Sequence, residues 1–274
     1  MFSRFNMTDE SYTAVYPKSA GYPPLIGQVQ HSLGKRSARL AFLLPDLPEP
    51  HPGLLAVLDE LSARAGEMEA TNLLAEVKDT DPMLEVLRKS GFLIYGWETT
   101  WKLPAKAPGD MTTPHNWEPM TSQNEPAVRT LYQTLVPPLV QAAEPYPGAD
   151  VRRLVYRSHG EIVAYVESDS GPRGVYLKPI LHPAVANPQE LILELVKIFQ
   201  GLGKPVYLQM RSYQAWLTAS LEAIEALTTV HFALMVRHLA IPQYAESRVR
   251  QMQLSPRQTE TPATIVQKMT NSHK

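Results

Sequence analysis

The amino-acid sequence predicts a mixed α/β fold that is built twice along the chain. Short apolar runs with strand character alternate with amphipathic helical segments, which is typical of sheets covered by helices. The same order of strands and helices occurs in both halves: the strand at 38–44 matches that at 175–181, and the strand at 73–77 matches that at 206–210. The offsets are all about 135 residues, which indicates an internal structural repeat.

The clearest unit of this repeat is the segment from residue 71 to 103. Residues 73–77 form a short apolar run without helical period, as expected of a strand buried on both faces. An amphipathic helix follows Pro82, and Gly91 is predicted to end it in the left-handed conformation, since glycine has no Cβ atom to clash there. Residues 93–103 include alternating aromatic and polar side chains, which predicts a half-buried returning strand.

The first half of the chain, here called copy one, is predicted to add three strands and one helix before this unit. These elements are a strand at 12–16, a hairpin of strands at 25–32 and 37–44, and a helix at 53–67. The proline-rich segment at 45–52, between the hairpin and the helix, is predicted to be a loop.

The second half, copy two, is predicted to be longer at its N-terminal side. Its predicted elements are a strand at 117–121, a helix from 125 that is interrupted at Pro137-Pro138 and continues towards 143, a hairpin of strands at 151–156 and 161–167, a strand at 174–181, a helix from 187 to about 201, a strand at 206–210, a helix at 213–226 and a strand at 231–240. Asn187 is expected to cap the helix that follows it.

The predicted domain boundary lies at residues 104–114, PAKAPGDMTTP, which have the composition of a linker. The sequence therefore predicts an abbreviated N-terminal domain at 1–104, a linker at 105–116 and a C-terminal domain at 117–242. Residues 243–274 are polar with few core-forming side chains, which predicts a disordered tail. With 274 residues and 44% hydrophobic side chains, the chain has enough apolar material for two cores.

Charge and composition argue against several classes of function. A net charge of −1 is unlike that of a protein that binds nucleic acid by neutralising phosphates. The absence of cysteine excludes disulfides, thiolate catalysis and cysteine-based zinc sites. Because no apolar run approaches the roughly 20 residues of a membrane helix and the N-terminus lacks the apolar core of a signal peptide, we expect a cytoplasmic protein without membrane or metal partners. The oligomeric state is left open.

The corner at Ser90-Gly91-Phe92 and its flanking elements resemble the acyl-CoA N-acyltransferase superfamily, known as GNAT. The resemblance concerns the order of elements more than individual residues. It implies tandem GNAT-like domains, each with a mixed antiparallel and parallel sheet flanked by helices. It further implies that acetyl-CoA or another acyl-CoA inserts between the splayed carboxyl ends of two parallel strands, with its pyrophosphate at a helix N-terminus.

Both copies depart from the family pattern at the positions that bind phosphate and donate a proton. The phosphate loop of the family contains small residues, usually glycines, whereas residues 45–53 are rich in proline and residues 181–188 contain no glycine. Leu87 stands at the position of the usual general-acid tyrosine in copy one, and the turn at 221–227 of copy two has no tyrosine either. Two alternatives are therefore expected: an N-acetyltransferase-like enzyme, or a non-catalytic tandem module that binds a small ligand or a protein partner.

Candidate ligand-binding residues cluster at the carboxyl ends of two predicted strands of copy two. His182 follows one strand, where a general base could lie, and Arg211, Ser212 and Tyr213 follow the other. Arg211 is suited to hold a carboxylate or phosphate, and Glu144 is expected to line the acceptor side. The structural alternatives are a loop position for His182, a surface position for Arg211 and a helix cap for Ser212. An anionic ligand is expected to prefer copy two, with Arg211 as its main contact.

Overall fold

The computed structural model describes residues 9–18, 21–46, 51–106, 116–144, 146 and 152–239. These residues belong to one compact unit that spans residues 1–240, and a second unit, residues 241–274, lies outside the described part of the chain. The predicted tail and most of the predicted linker also lie outside it. Disorder of the tail and the position of the domain boundary therefore stay predictions.

The strands and helices predicted for copy one are present. They are β1 (Asp9–Tyr16), β2 (Leu25–Ser32), β3 (Ser37–Leu44), α1 (Leu54–Glu67), β4 (Asn72–Lys78), α2 (Met83–Lys89) and β5 (Leu93–Lys102).

Copy two contains additional helices between its first and second strands. Its elements are β6 (Trp117–Pro119), α3 (Glu125–Leu135), α4 (Pro138–Ala143), β7 (Arg152–Ser158), β8 (Glu161–Gly171), β9 (Gly174–Leu181), α5 (Pro188–Gln200), β10 (Val206–Arg211), a 3-10 helix (Ser212–Leu217), α6 (Thr218–Ala223) and β11 (Leu227–His238).

The strands of the described residues form a single eleven-stranded sheet in the order β1-β2-β3-β4-β11-β5-β10-β9-β8-β7-β6. β3 and β4 are parallel, as are β9 and β10, and the other neighbouring strands are antiparallel. From the centre between β11 and β5, the order runs outward through corresponding strands: β4 and β10, β3 and β9, β2 and β8, β1 and β7. The repeat predicted from the sequence is thus visible in the sheet.

The last strand of each copy lies beside strands of the other copy. β5 ends copy one and pairs with β10, with Lys102 opposite Tyr207 and Glu98 opposite Arg211. β11 ends copy two and pairs with β4, from Phe232 opposite Lys78 onward. β5 and β11 also pair with each other. This exchange places strands from both copies at the centre of the sheet.

The helices cover the two faces of the sheet unequally. Leu73 and Ala75 of β4 point to the face covered by α1 and α2, whereas Leu74 points to the face covered by α3 and α4. In copy two, Val166 of β8 packs with α5 and α6, whereas its neighbour Tyr165 points to the opposite face and packs with α3. Because α1 also lies on the face opposite α3, the helices α5 and α6 share the face of α1. The alternation of strand side chains between faces therefore builds three layers.

The end of copy two differs from the sequence prediction in its boundaries. The helix predicted at 213–226 is a 3-10 helix followed by α6, which ends at Ala223. β11 begins at Leu227 and not at 231, because residues 227–230 also pair with β5, where they lie opposite residues 100–102. The β-branched residues Thr228, Thr229 and Val230 are compatible with a strand, and pairing with β5 decides where the strand begins.

The two expected helix caps do not form through side chains. Asn187 precedes α5, but its side chain makes no capping hydrogen bond and donates to Glu190 Oε2 at 3.4 Å. The 3-10 helix begins at Ser212 and has no side-chain cap.

The corner between α2 and β5 has the predicted left-handed glycine, and copy two repeats the corner. Gly91 has a φ of 86°, and the Phe92 N–H donates to the Leu87 carbonyl at 3.0 Å. In copy two, Glu225 has a φ of 57°, and the Ala226 N–H donates to the Leu221 carbonyl at 3.0 Å. A glutamate therefore occupies a backbone conformation that glycine adopts without strain.

Gly91→Ala is expected to lower the free energy of unfolding by about 1 kcal/mol, because a Cβ atom disfavours the left-handed conformation. The reverse change in copy two, Glu225→Gly, is expected to raise it by about 0.5–1 kcal/mol, since the relief of strain exceeds the added backbone entropy of glycine in the unfolded chain. Urea unfolding of both variants measures the two changes.

Gly201→Ala is the matched control. Gly201 has a φ of −63° at the end of α5, and a Cβ atom there would meet open space. This variant should equal the wild type in stability or slightly exceed it. A loss as large as that of Gly91→Ala would show that backbone conformation is not the cause.

Candidate functional site

A cavity of about 300 Å³ lies on the face of the sheet that α3 and α4 cover. We call it the central cleft. Its charged lining consists of Lys35 and Arg39 from copy one and Glu144, Glu167, Lys178 and Arg211 from copy two. Because both copies contribute side chains, neither copy forms this cleft alone.

The C-terminal end of α4 is attached to copy one, and this attachment places Glu144 in the cleft. Ser37 Oγ donates to the Ala143 carbonyl at 2.8 Å, and Asn72 Nδ2 donates to the Ala142 carbonyl at 3.3 Å. The last carbonyl groups of a helix have no partner within the helix. Two side chains of copy one therefore satisfy the end of α4, and Glu144 follows it directly.

Arg211 bridges two carboxylates in the cleft. It ends β10 opposite Glu98 of β5 and is only 8% exposed. Its Nε lies 3.2 Å from Glu98 Oε2, and its Nη2 donates to Glu144 Oε2 at 2.9 Å. Its Nη1 is buried and has no hydrogen-bond partner among the described residues. The guanidinium thus contacts two acids, and its Nη1 donors are used by no group of the described residues.

The two acids have further partners that fix their orientation. Glu98 is 2% exposed, and its Oε1 accepts a hydrogen bond from Gln209 Nε2 at 2.7 Å. The Tyr95 hydroxyl donates to Glu144 Oε1, and the Tyr132 hydroxyl donates to the Glu144 carbonyl at 2.8 Å. These contacts join residues of α3, β5 and β10 into one polar network.

The pKa values of the two acids move in opposite directions. Burial raises the pKa of Glu98 because the charged form loses hydration, and the attraction of Arg211 offsets this effect only in part. Burial also acts on Glu144, but the combined attraction of Arg211, Lys178 and Arg39 outweighs it and holds the pKa of Glu144 below its usual value. Glu144 is therefore a carboxylate at neutral pH.

The tyrosines of the cleft are hydroxyl groups at neutral pH. Burial raises the pKa of Tyr132 to about 12, and the nearby Glu144 carboxylate adds to this shift. Burial also raises the pKa of Tyr213, while the positive charge of Arg211 opposes the shift. Both side chains are thus available as neutral hydrogen-bonding groups and not as bases.

Of the residues selected from the sequence, Glu144, Arg211 and Tyr213 lie together in the central cleft. His182 and Ser212 are not part of its lining. The Nδ1 atom of His182 accepts a hydrogen bond from the Ala184 backbone at 3.1 Å, which stabilises the loop after β9, and Ser212 is exposed. A ligand-binding role for the first three residues stays a proposal.

Several residues of the site were not selected from the sequence, among them Glu98, Lys178 and Gln209. Glu98 belongs to the polar face of an alternating strand, so its periodicity indicates exposure. It is buried because β10 and β11 flank β5. Polar residues within otherwise apolar or aromatic strands were the available signal, but only the strand order shows that they meet.

The gap between β9 and β10 is bridged by a side chain. These parallel strands pair only from Val175 to Leu177 and separate towards their carboxyl ends. Gln214, which is 2% exposed, accepts a hydrogen bond from the Leu181 N–H at 2.9 Å and donates to the Pro179 carbonyl at 2.7 Å. A ligand that pairs with β9 at this point has to displace Gln214.

The equivalent gap in copy one, between β3 and β4, is open. The strands pair only from Ser37 to Arg39 on the β3 side. Ala41 is a bulge, since Leu40 and Phe42 face successive residues of β2 and Ala41 has no partner there. A cavity of about 380 Å³, lined by residues 40–46 and 75–78, occupies this gap.

Neither helix N-terminus beside these gaps offers a glycine-rich cradle. The Tyr16 ring covers the start of α1 so closely that a Cβ atom on Gly53 would lie 2.5 Å from it, and Asp46 lines the neighbouring cavity. The first turn of α5 contains the acidic Glu190 and begins with Pro188, which has no N–H to donate. A phosphate group is therefore expected to gain little binding free energy at the N-terminus of either helix.

Residues 9–18, 21–46, 51–106, 116–144, 146 and 152–239 contain no group of three or more His, Asp or Glu side chains placed to hold a metal ion. Among the same residues, no helix has both the length and the apolar character needed to cross a membrane.

Solved structures of other proteins share this architecture. A GCN5-related N-acetyltransferase from Sphaerobacter thermophilus matches 78% of this chain and 76% of its own, at 11% identity and a TM-score of 0.52. A tandem GNAT protein from the clavulanic acid biosynthesis pathway matches 84% and 83%, at 14% identity and a TM-score of 0.50. A functionally unknown conserved protein from Staphylococcus epidermidis matches 74% and 85%, at 14% identity and a TM-score of 0.51.

The chain has the GNAT fold. Its two copies are tandem GNAT-like domains, each contributing strands to the mixed sheet and flanked by helices. At 11–14% identity these likenesses concern the fold alone. No family model and no curated protein sequence matches the chain.

The leucines at the tyrosine positions of the GNAT pattern have a structural role. Leu87 is 1% exposed and packs in the core under α1, and Leu221, in the corresponding turn of copy two, is fully buried in the core around α5. An aliphatic side chain cannot donate a proton to a leaving thiolate. Any transfer reaction on this fold would therefore need a different acid.

Glu98→Gln and Glu144→Gln are expected to change stability with opposite dependence on pH. The folded-state pKa of Glu98 lies above its unfolded value of about 4.3, so the wild type gains stability relative to Glu98→Gln as the pH falls through that folded-state pKa. The folded-state pKa of Glu144 is lowered, so its contribution is present above about pH 4.3 and is lost as the pH falls further.

Urea unfolding of the wild type and both variants at pH 7, 5 and 3 measures these differences. Each variant serves as the control for the other, since both replace a glutamate of one network by its neutral isostere. Equal pH dependence in the two variants would contradict the opposite pKa shifts.

Proposed function

We propose that copy one binds an acyl-CoA, or another ligand with a pantetheine arm, in the gap between β3 and β4. The observation that carries this proposal is the open edge of β3 beyond Arg39. The bulge at Ala41 bends the strand there, and a cavity of about 380 Å³ lies between β3 and β4. This volume falls within the range of small-molecule pockets, roughly 300–1,000 Å³. The GNAT fold makes acyl-CoA the first ligand class to test.

A pantetheine arm suits this gap because it contains amide groups that can pair with a strand edge, as an added strand does. Copy two offers an internal comparison. There the amide of Gln214 makes two such hydrogen bonds with the edge of β9. In copy one the corresponding edge of β3 has no strand partner beyond Arg39 among the described residues. Ligand amides are expected to make the bonds in copy one that Gln214 makes in copy two.

The phosphate end of the ligand should contribute little to affinity. Tyr16 covers the start of α1, and Asp46 places a negative charge beside the cavity. The proposal is therefore binding through the pantetheine arm. N-acetyltransferase-like catalysis stays a prediction, because Leu87 stands at the position of the usual acid in copy one and the turn at 221–227 of copy two contains no tyrosine.

A second candidate function is that of a module which binds a small ligand in the central cleft. The buried, unpartnered Nη1 atom of Arg211 favours it, since an unused donor in a polar cavity is a typical contact for a ligand. Glu144 and Tyr213 are the proposed neighbours of that ligand. A cytoplasmic location, expected from the sequence, also stays a prediction.

Ala41→Trp is expected to weaken the binding of acetyl-CoA at least tenfold, because the indole would fill the gap beside β3. Acetyl-pantetheine, which lacks the nucleotide and its phosphates, is expected to bind the wild type about as well as acetyl-CoA. Isothermal titration of the full chain with both ligands measures these affinities.

The control for this experiment is Ala219→Trp, which adds the same side chain at an exposed position on α6. It should leave both affinities unchanged. If the wild type binds neither ligand at millimolar concentration, or if Ala41→Trp binds as tightly as the wild type, copy one is not the site.

A further inference from the structure

We infer that the central cleft binds a small carboxylic acid anion with an apolar body, and that Arg211 and Lys178 hold its carboxylate. The inference rests on the second candidate function above, because it names the ligand class for that cleft. It is independent of acyl-CoA binding in copy one, which uses a different cavity.

The first observation is the set of donors that Arg211 leaves unused. A guanidinium has five N–H groups. Glu98 and Glu144 engage Nε and Nη2, whereas Nη1 has no partner among the described residues. A buried donor without a partner is costly, so a ligand oxygen that reaches Nη1 gains a charge-assisted hydrogen bond. Nη1 is covered by protein atoms in this structure, so binding also requires a small rotation of neighbouring side chains.

The second observation is a nearby cation that has no ion pair. Lys178 lines the cleft, and its ammonium group makes no hydrogen bond or salt bridge within the described part of the chain. Lys178 acts on the pKa of Glu98, Glu144 and Glu167 through its charge. It is therefore close enough to the acids around Arg211 to add its charge to that of the guanidinium. Two cations with unused hydrogen-bonding capacity favour a ligand anion over a neutral ligand.

The third observation concerns the charge that the ligand can carry. Arg211 already lies between Glu98 and Glu144, so each additional negative charge on the ligand is repelled by two carboxyl groups. A monoanion is repelled less than a phosphate dianion while keeping the same hydrogen bonds. The acids of the cleft therefore select a carboxylate over a doubly charged phosphate.

The fourth observation is the apolar part of the lining. Leu74, Val136, Val140 and Ile180 border the same cavity as the charged residues. Leu74 lies in β4, Val140 in α4 and Ile180 in β9, and Val136 directly follows α3; all four belong to one apolar core. A ligand with a carboxylate at one end and an apolar body at the other suits this lining. Its carboxylate would contact the charged side chains, and its apolar body would contact the aliphatic side chains and be removed from water.

The test compares benzoate with benzamide, which has nearly the same shape and no charge. The full chain is titrated with each compound at pH 7 and followed by calorimetry and by NMR. Benzoate is expected to bind saturably, and benzamide at least tenfold more weakly. Sulfate, which is a dianion at pH 7, is the third probe and is expected to bind more weakly than benzoate.

Two variants assign the contacts. Lys178→Met removes the cation that has no ion pair among the described residues, and Arg211→Lys keeps a positive charge but removes the planar donors. Each is expected to weaken benzoate binding at least fivefold, with little change for benzamide. Lys89→Met, at an exposed position on α2, is the matched control and should bind benzoate like the wild type. Thermal unfolding shows whether Arg211→Lys is folded, and Lys178→Met carries the test if it is not.

Several results would overturn the inference. Equal affinity for benzoate and benzamide would show that the cleft binds apolar molecules without selecting a carboxylate. Stronger binding of sulfate than of benzoate would reject the preference for a monoanion. Full benzoate affinity in both Lys178→Met and Arg211→Lys would remove the site from the cleft, as would no benzoate binding at all. Acyl-CoA binding is judged separately by Ala41→Trp, which should leave benzoate affinity unchanged.

Discussion

Exchange of the final strands between the two copies is the constraint on which the central cleft depends. β5 of copy one lies between β10 and β11 of copy two, so both of its edges are paired. This pairing buries Glu98 in the middle of the sheet and brings Arg211 directly opposite to it. Glu144 then reaches Arg211 because two side chains of copy one hold the end of α4. In a sheet made of two separate halves, Glu98 of copy one would not lie opposite Arg211 of copy two, and the end of α4 would lose its contacts with Ser37 and Asn72.

Burying this many charges is unfavourable unless each one is paired, because a charged group loses its hydration in the interior. Arg211 meets this requirement by contacting Glu98 and Glu144, and Gln209 and Tyr95 provide further hydrogen bonds to the two acids. The cost is not removed completely, as the raised pKa of Glu98 shows. Next to the cavity, the Nη1 atom of Arg211 keeps a buried donor without a partner among the described residues.

The two copies use the same separation of parallel strands differently. In copy one, the bulge at Ala41 opens the gap, and a cavity lies beside the unpaired part of β3. In copy two, β8 and β9 pair without a register shift, and Gln214 closes the gap with its amide. A single side chain and a single extra residue thus distinguish an open gap from one that the protein fills itself. Such divergence is expected within repeated domains, since the fold constrains the sheet more strongly than its edges.

The sequence by itself determined the order of elements, the repeat and the left-handed corner at Gly91, because these depend on local periodicity and on backbone sterics. It also placed Arg211 and Tyr213 at the carboxyl end of a strand. Only the tertiary structure decided that Glu98 is buried, that Gln214 closes one gap and that Lys178 joins Arg211 in the cleft. The physical reason is that periodicity specifies the face of a strand on which a side chain lies, whereas its burial and partners depend on which strands are neighbours in the sheet.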